Sequence, residues 1–170
     1  MLTAKGKYGL KALGHLATLD TGKSLQAIEI SEAHDIPKKF LDTILGDLRN
    51  AGIVFSKKGP GGGYMLARPP AEINIGHAIR ALDGPLAPIR CASRTAYQAC
   101  RDCRDVRTCT VRITMAKVRD AISEILDGLT LADMVAIGEP ADVVPKKDVV
   151  PKKKATMRRA RPSTARSVAG

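Results

Sequence analysis

The chain has 170 residues, 44% hydrophobic but only 3% aromatic and without Trp, which supports one mostly aliphatic core and excludes a large multidomain machine. Its formal net charge of +11 points to a polyanionic partner, of which nucleic acid is the commonest. No apolar run approaches the roughly 18 residues that span a bilayer, and Lys5, Lys7 and Lys11 break up the first apolar residues; the expectation is a cytoplasmic protein with no membrane partner and no secretory leader.

In chain order, residues 3–19 are expected to form a first helix, with Leu10, Leu13, Leu16 and Ala17 at helical spacing and Gly22 marking the stop. Ser24 is placed to cap a second helix running to Glu32, with Leu25, Ile28 and Ile30 packing inward. His34, Asp35 and Ile36 then form a short connection. Pro37 suits the first turn of a third helix, in which Leu41, Ile44, Leu45 and Leu48 fall at i, i+3, i+4 and i+7 and which Asn50, Ala51 and Gly52 bring to an end.

Two helices joined by a short connection, the second opening on Pro37, Lys38 and Lys39, meet the requirements of a helix-turn-helix. With the apolar stripe turned inward, Lys38, Lys39 and Asp42 are left to meet double-stranded DNA. The lysines would contact phosphate, and Asp42 would accept from a cytosine amino group or simply be a solvated acid. Residues 53–56 and 64–67 are β-capable runs around a turn rich in glycine, which reads as a hairpin, the wing of a winged helix. Gly61 and Gly62 let backbone approach a phosphate or groove floor, and Lys57 and Lys58 put charge at the tip. The turn lacks the Gly-Lys-Ser/Thr ending of a P-loop, which argues against nucleotide hydrolysis.

A short helix over residues 75–82 follows, with Ile75, Ile79 and Leu82 on one face, His77 off it, and Asp83, Gly84 and Pro85 as the stop. The next stretch holds all four cysteines, Cys91, Cys100, Cys103 and Cys109, within nineteen residues. Packing does not require such a concentration, and in a reducing compartment clustered thiols are more often metal ligands or redox groups than disulfides. Four thiolates satisfy either a tetrahedral zinc or an iron-sulfur cluster, so the residues alone leave both open. A dithiol enzyme built on Cys100 and Cys103 is disfavoured because no βαβ pattern frames the pair, and no enzymatic activity is expected. Arg90, Arg94, Arg101, Arg104, Arg107 and Arg112 outnumber Asp102 and Asp105, and their charge is expected to lower the thiol pKa values or to reach phosphate.

Residues 110–126 are expected to form a long helix with Val111, Met115, Val118, Ile122, Ile125 and Leu126 on one face, a stripe suited to pairing with a second copy or to the chain's own core. A homodimer would present two recognition helices to a two-fold symmetric operator. Gly128 stops this helix, and Thr130 with Asp133 opens a last short one. After Gly138 the six residues Asp-Val-Val-Pro-Lys-Lys occur twice, and residues 139–170 carry nine Lys/Arg against three Asp/Glu, more than half of the chain's positive excess. This composition predicts a disordered basic tail that adds salt-sensitive DNA attraction.

The predicted fold is therefore mainly α with a small β-hairpin. A winged helix-turn-helix DNA-binding domain occupies residues 1–84 and a cysteine cluster-binding loop 85–109. A dimerisation helix and a closing helix follow over 110–138, then the tail over 139–170.

The run IPKKFLDTILGDLRNAGIVFSKKGPGGGYMLAR resembles the helix-turn-helix and wing of the IscR/NsrR, or Rrf-two, family of iron-sulfur transcription regulators, and the likeness extends over residues 2–137. The resemblance implies that Lys38, Lys39 and Asp42 read the major groove and that Lys58 lies in the minor groove, where many relatives carry Arg. It implies Cys91, Cys103 and Cys109 as ligands, since the family's last two cysteines also have five residues between them, with Cys100 a fourth ligand or a bystander. At the family's other ligand positions this chain has Arg112, Tyr8 and Ala12, none a usual ligand. The implied function is a regulator, a repressor, that senses iron, redox state or nitric oxide through a 2Fe-2S or 4Fe-4S cluster; the alternative is a constitutive DNA binder with a structural Zn site.

Overall fold

The computed structural model describes residues 2–20, 22–103 and 105–138; the predicted basic tail and Arg104 lie outside the described residues. Helix α1 (Ala4–Ala17) is capped by Thr3, whose hydroxyl accepts from the Lys5 and Gly6 amides. Thr3 in turn donates its N–H and O–H to the Asp83 carboxylate, at 2.8 and 2.5 Å. One residue thus starts α1 and fastens it to the end of α4 (Ile75–Asp83).

Helix α2 (Ala27–His34) begins later than the sequence predicts. Its cap is Gln26, paired with Glu29 in a reciprocal capping box, and not Ser24. Ser24 and Leu25 are taken by the hairpin instead: the Ser24 hydroxyl donates to the Gly61 carbonyl at 2.9 Å, and Leu25 and Tyr64 exchange backbone hydrogen bonds of 3.0 and 2.7 Å. The later start also corrects the expected inward face. Ile30 is fully buried while Ile28 is 39% exposed, because residues two apart on a helix point to nearly opposite sides. Asp35, left-handed with φ 51°, turns the chain toward buried Ile36 and into α3 (Lys38–Asn50).

Leu41, Ile44, Leu45 and Leu48 of α3 are each completely buried, as the i, i+3, i+4, i+7 pattern requires. Strands β1 (Val54–Lys57) and β2 (Gly63–Leu66) pair antiparallel, Val54 opposite Leu66 and Lys57 opposite Gly63. The first strand starts one residue late because Ile53 is held at the end of α3, fully buried and donating to the Leu48 carbonyl at 2.9 Å. A side chain at position 63 would place its Cβ 2.2 Å from the Leu25 carbonyl oxygen, so glycine is what allows the hairpin and the start of α2 to touch.

Helix α5 (Thr110–Gly128) buries no residue completely, yet it is tied to α4. Arg80 forms a two-pronged ion pair with Asp127, at 2.6 and 2.7 Å, and the Asn74 side chain donates to the Asp127 carbonyl. Thr130 and Asp133 form the expected capping box of α6 (Leu131–Ile137), which packs on α1 and puts Leu131 into the same core as α1, α3 and α4. Among the described residues no helix is long and apolar enough to cross a membrane.

His15, which the sequence leaves without an obvious partner, meets His34 across α1 and α2 with ring nitrogens 3.1 Å apart. Burial, then the neighbouring His15 and Lys11, holds the His34 pKa below its ordinary 6.5. A base whose folded pKa is depressed contributes stability above its unfolded pKa and loses it as pH falls. The melting temperature should therefore drop as pH goes from 7 to 5.5, and thermal scans of His34→Gln should show a smaller drop over the same range. Gly63→Ala should cost about 1–3 kcal/mol in chemical denaturation, because the contact it crowds is backbone on both sides; an unchanged midpoint would mean that the hairpin does not depend on this contact.

Candidate DNA interface and cysteine loop

The buried stripe of α3 turns its opposite side outward, and Lys38, Lys39 and Asp42 all lie on that exposed surface. Lys38 and Asp42 form an ion pair of 3.0 Å one turn apart. Such an exposed pair contributes at most about 1 kcal/mol, so it orients both groups and yields readily to a phosphate or base. The first turn of α3 is braced from behind by an edge-on contact of Phe40 with Tyr8, ring centres 5.9 Å apart.

Lys57 and Lys58 are exposed at the hairpin turn. Gly59 and Gly61 adopt φ values of 97° and 71°, and the Gly62 amide closes the turn on the Gly59 carbonyl at 2.8 Å. The Ser24–Gly61 and Leu25–Tyr64 bonds tie the hairpin to the start of the helix-turn-helix. Phe55, 58% exposed on β1, was not singled out from the sequence, since an aromatic residue in a β-run looks like core.

The cysteine loop leaves α4 at Gly84, makes a single 3-10 turn at Arg90–Ala92 and ends at Cys109, the N-cap of α5. All four thiols are free: Cys91 is buried, Cys103 and Cys109 half-buried and Cys100 exposed. Cys100 neighbours Cys91 and Cys103 neighbours Cys109, and the Cys103 thiol donates to the Asp105 carbonyl at 3.7 Å. The neighbouring Cys91 is the main reason the Cys100 thiol is pushed up to about 11, with Asp102 adding to it. Cys103 is pushed up by its neighbour Cys109. Cys109 alone is lowered, by the backbone N–H of Arg112, then by Cys103, with the Val111 N–H helping.

The expected lowering by surrounding arginines is thus corrected for Cys100 and Cys103. Three of the guanidinium groups are engaged elsewhere: Arg90 on Gln98 at 2.6 Å, Arg94 on Asp120 at 2.9 Å, and Arg112 on the Cys91 carbonyl at 2.9 Å. Among the described residues no group of three or more His, Cys, Asp or Glu is arranged to hold a metal. The donor chemistry nevertheless suits a thiophilic centre, since four cysteines lie within nineteen residues on a loop with few buried residues. Sequence reasoning also missed Arg119, whose guanidinium bonds the Ala92 carbonyl; its value depends on a loop 27 residues away, which no local pattern reveals.

Comparison with known proteins supplies the family. Residues 2–137 match the family model Rrf2, described as an iron-dependent transcriptional regulator. The chain is 45% identical over 144 residues to a putative HTH-type transcriptional regulator, rrf2-like, of Rhodobacter capsulatus, covering 83% of this chain and 96% of that one. Among solved structures, CymR, the global cysteine regulator of B. subtilis, superimposes with a TM-score of 0.66 at 29% identity, over 82% of this chain and 98% of that one. IscR of T. potens superimposes with a TM-score of 0.65 at 30% identity, over 83% and 90%. A winged helix-turn-helix head, a cysteine loop and a long helix, matched along their whole length, make this chain a member of the Rrf2 family and a DNA-binding transcriptional regulator, not an enzyme.

Proposed function

We propose that the protein is a homodimeric cytoplasmic repressor whose grip on a two-fold symmetric operator depends on an iron-sulfur cluster held by Cys91, Cys100, Cys103 and Cys109. The observation that supports this reading is the presence of four free thiols on the loop that joins α4 to α5, a helix that buries no residue completely. In this reading Lys38 and Lys39 neutralise phosphates, Asp42 selects against bases that cannot donate to it, Lys58 enters the minor groove with Lys57 adding charge at the wing tip, and Gly61 and Gly62 let the wing backbone come close. Residues 1–84, 85–109 and 110–138 are then the reading, sensing and pairing parts, with the basic residues of 139–170 adding salt-sensitive attraction.

Pairing through α5 is supported by what that helix leaves uncovered. Val111, Val118 and Ile125, spaced by seven, are 62, 39 and 64% exposed, while Met115 and Ile122 alternate with them at intervals of three and four. That is the repeat of a two-helix seam. Beside it runs an apolar groove of about 590 Å³, floored by Leu10, Ile75, Ile79 and Leu126, which a second copy would cover.

A bound cluster would supply a centre open to oxidation, iron loss or nitric oxide. The protein's own part is to present four thiols and to join the loop that carries them to α5. Protein purified without oxygen should be brown and contain iron, and removing the iron with a chelator should change operator affinity by about tenfold or more in a fluorescence-anisotropy titration. Cys103→Ala should abolish both the colour and the change. Colourless protein containing zinc, with DNA affinity indifferent to chelation, would instead establish the constitutive binder. Val118→Glu places a charge in the seam and should yield monomers in sedimentation velocity at micromolar concentration, with operator affinity reduced at least tenfold, since two linked heads bind far more tightly than one.

A further inference from the structure

Resting on the sensory reading above, we infer that Arg112 and Arg119 are positioning residues that clamp the first cysteine's turn onto α5, and so carry the state of the cysteine loop to the dimer seam. The turn at Arg90–Ala92 holds Cys91, 5% exposed, and has no regular element of its own to anchor it. Its two successive carbonyls are instead taken by two arginines of α5. Arg112 Nε donates to the Cys91 carbonyl at 2.9 Å, and Arg119 Nη1 donates to the Ala92 carbonyl.

Seven residues, two helical turns, separate the arginines, so they share one face of α5. Arg119 is only 14% exposed, and its remaining donors are fixed by Asp120: Nε at 2.9 Å and Nη2 at 2.7 Å from Oδ1. Asp120 also accepts from Arg94, which brings a second point of the loop to the same carboxylate at 2.9 Å. The far end of the loop is joined to the same helix, because Cys109 is the N-cap of α5. Arg112, in the first turn after Cys109, therefore ties the Cys91 turn to the end of the helix that Cys109 caps.

Arginine stays protonated and cannot ligate a metal, so its use here is mechanical. Drawing the four sulfurs toward a common centre must move Cys91 relative to Cys109. With both ends bound to one turn of α5, that movement becomes a shift of the helix bearing Val111 and Val118 on its exposed side. Without the clamp, the loop could take up or lose its metal while α5 stayed where it was.

The test uses full-length wild type, Arg112→Met and Arg119→Met, with Arg112→Lys and Arg119→Lys as conservative controls. Operator affinity is measured for iron-loaded and chelator-stripped protein, and amide hydrogen exchange is followed over residues 90–93 and 110–113 of the stripped protein. The methionine variants are expected to keep iron and colour while the loaded-to-stripped affinity ratio shrinks at least about fivefold, and the lysine variants to recover part of it. Exchange over both segments should rise in the methionine variants. An unchanged ratio beside a wild-type ratio well above one overturns the inference, as does unchanged exchange. If wild type shows no ratio at all, the sensory reading fails; a rise in exchange would then still establish the clamp as a mechanical link. Should a methionine variant lose its iron, the exchange of the stripped protein decides.

Discussion

The complete burial of Leu41, Ile44, Leu45 and Leu48 is the constraint from which the rest of the head follows. Four aliphatic side chains on one stripe contribute several kcal/mol of burial between them and leave a single rotational setting for α3. In that setting Lys38, Lys39 and Asp42 face outward. Neither lysine has to be held in place by a dedicated bond; the core behind them does it. Ile53 and Val54, also fully buried, extend the same core into the hairpin, so the wing is registered against α3 by packing before any turn residue acts.

Helix α5 obeys the opposite rule. It buries no residue completely; Leu126 packs against the core, and polar attachments hold the rest, with Arg80 and Asn74 on Asp127 at one end and the arginines on the Cys91–Ala92 carbonyls at the other. Polar contacts that are partly exposed are individually weak and geometrically specific. A helix held that way can shift when a loop changes shape, whereas one embedded like α3 cannot without opening the core. The molecule thus sets α3, embedded in the core, beside a helix fastened largely by polar contacts, and the cysteine loop joins α4 to that helix.

Much of the head was legible because its signals are local. The stripe of α3, the glycine-rich turn, the Thr130–Asp133 box and the concentration of cysteines are patterns within a few residues of one another, set by helix period, turn geometry and ligand chemistry. The start of α2 was misplaced for the reverse reason. Ser24 is a good cap by composition, but Gly61 and Tyr64, some 40 residues on, claim Ser24 and Leu25, and Gln26 inherits the cap. Ile28 was assigned inward on that wrong phase. The thiol chemistry was misjudged similarly: counting arginines predicts a general lowering, whereas each thiol responds to the groups that actually neighbour it.

By itself the sequence determined the class of fold, which face of α3 is buried and which exposed, and the concentration of cysteines in one loop, because periodicity and composition act over one or two turns of chain. Tertiary structure alone decided which thiol neighbours which, that His15 meets His34, that α6 returns to pack on α1, and that Arg112 and Arg119 hold the cysteine turn. These contacts join residues far apart in the chain, and such bonds depend on how separate elements are brought together by a common core, which no short stretch of sequence encodes.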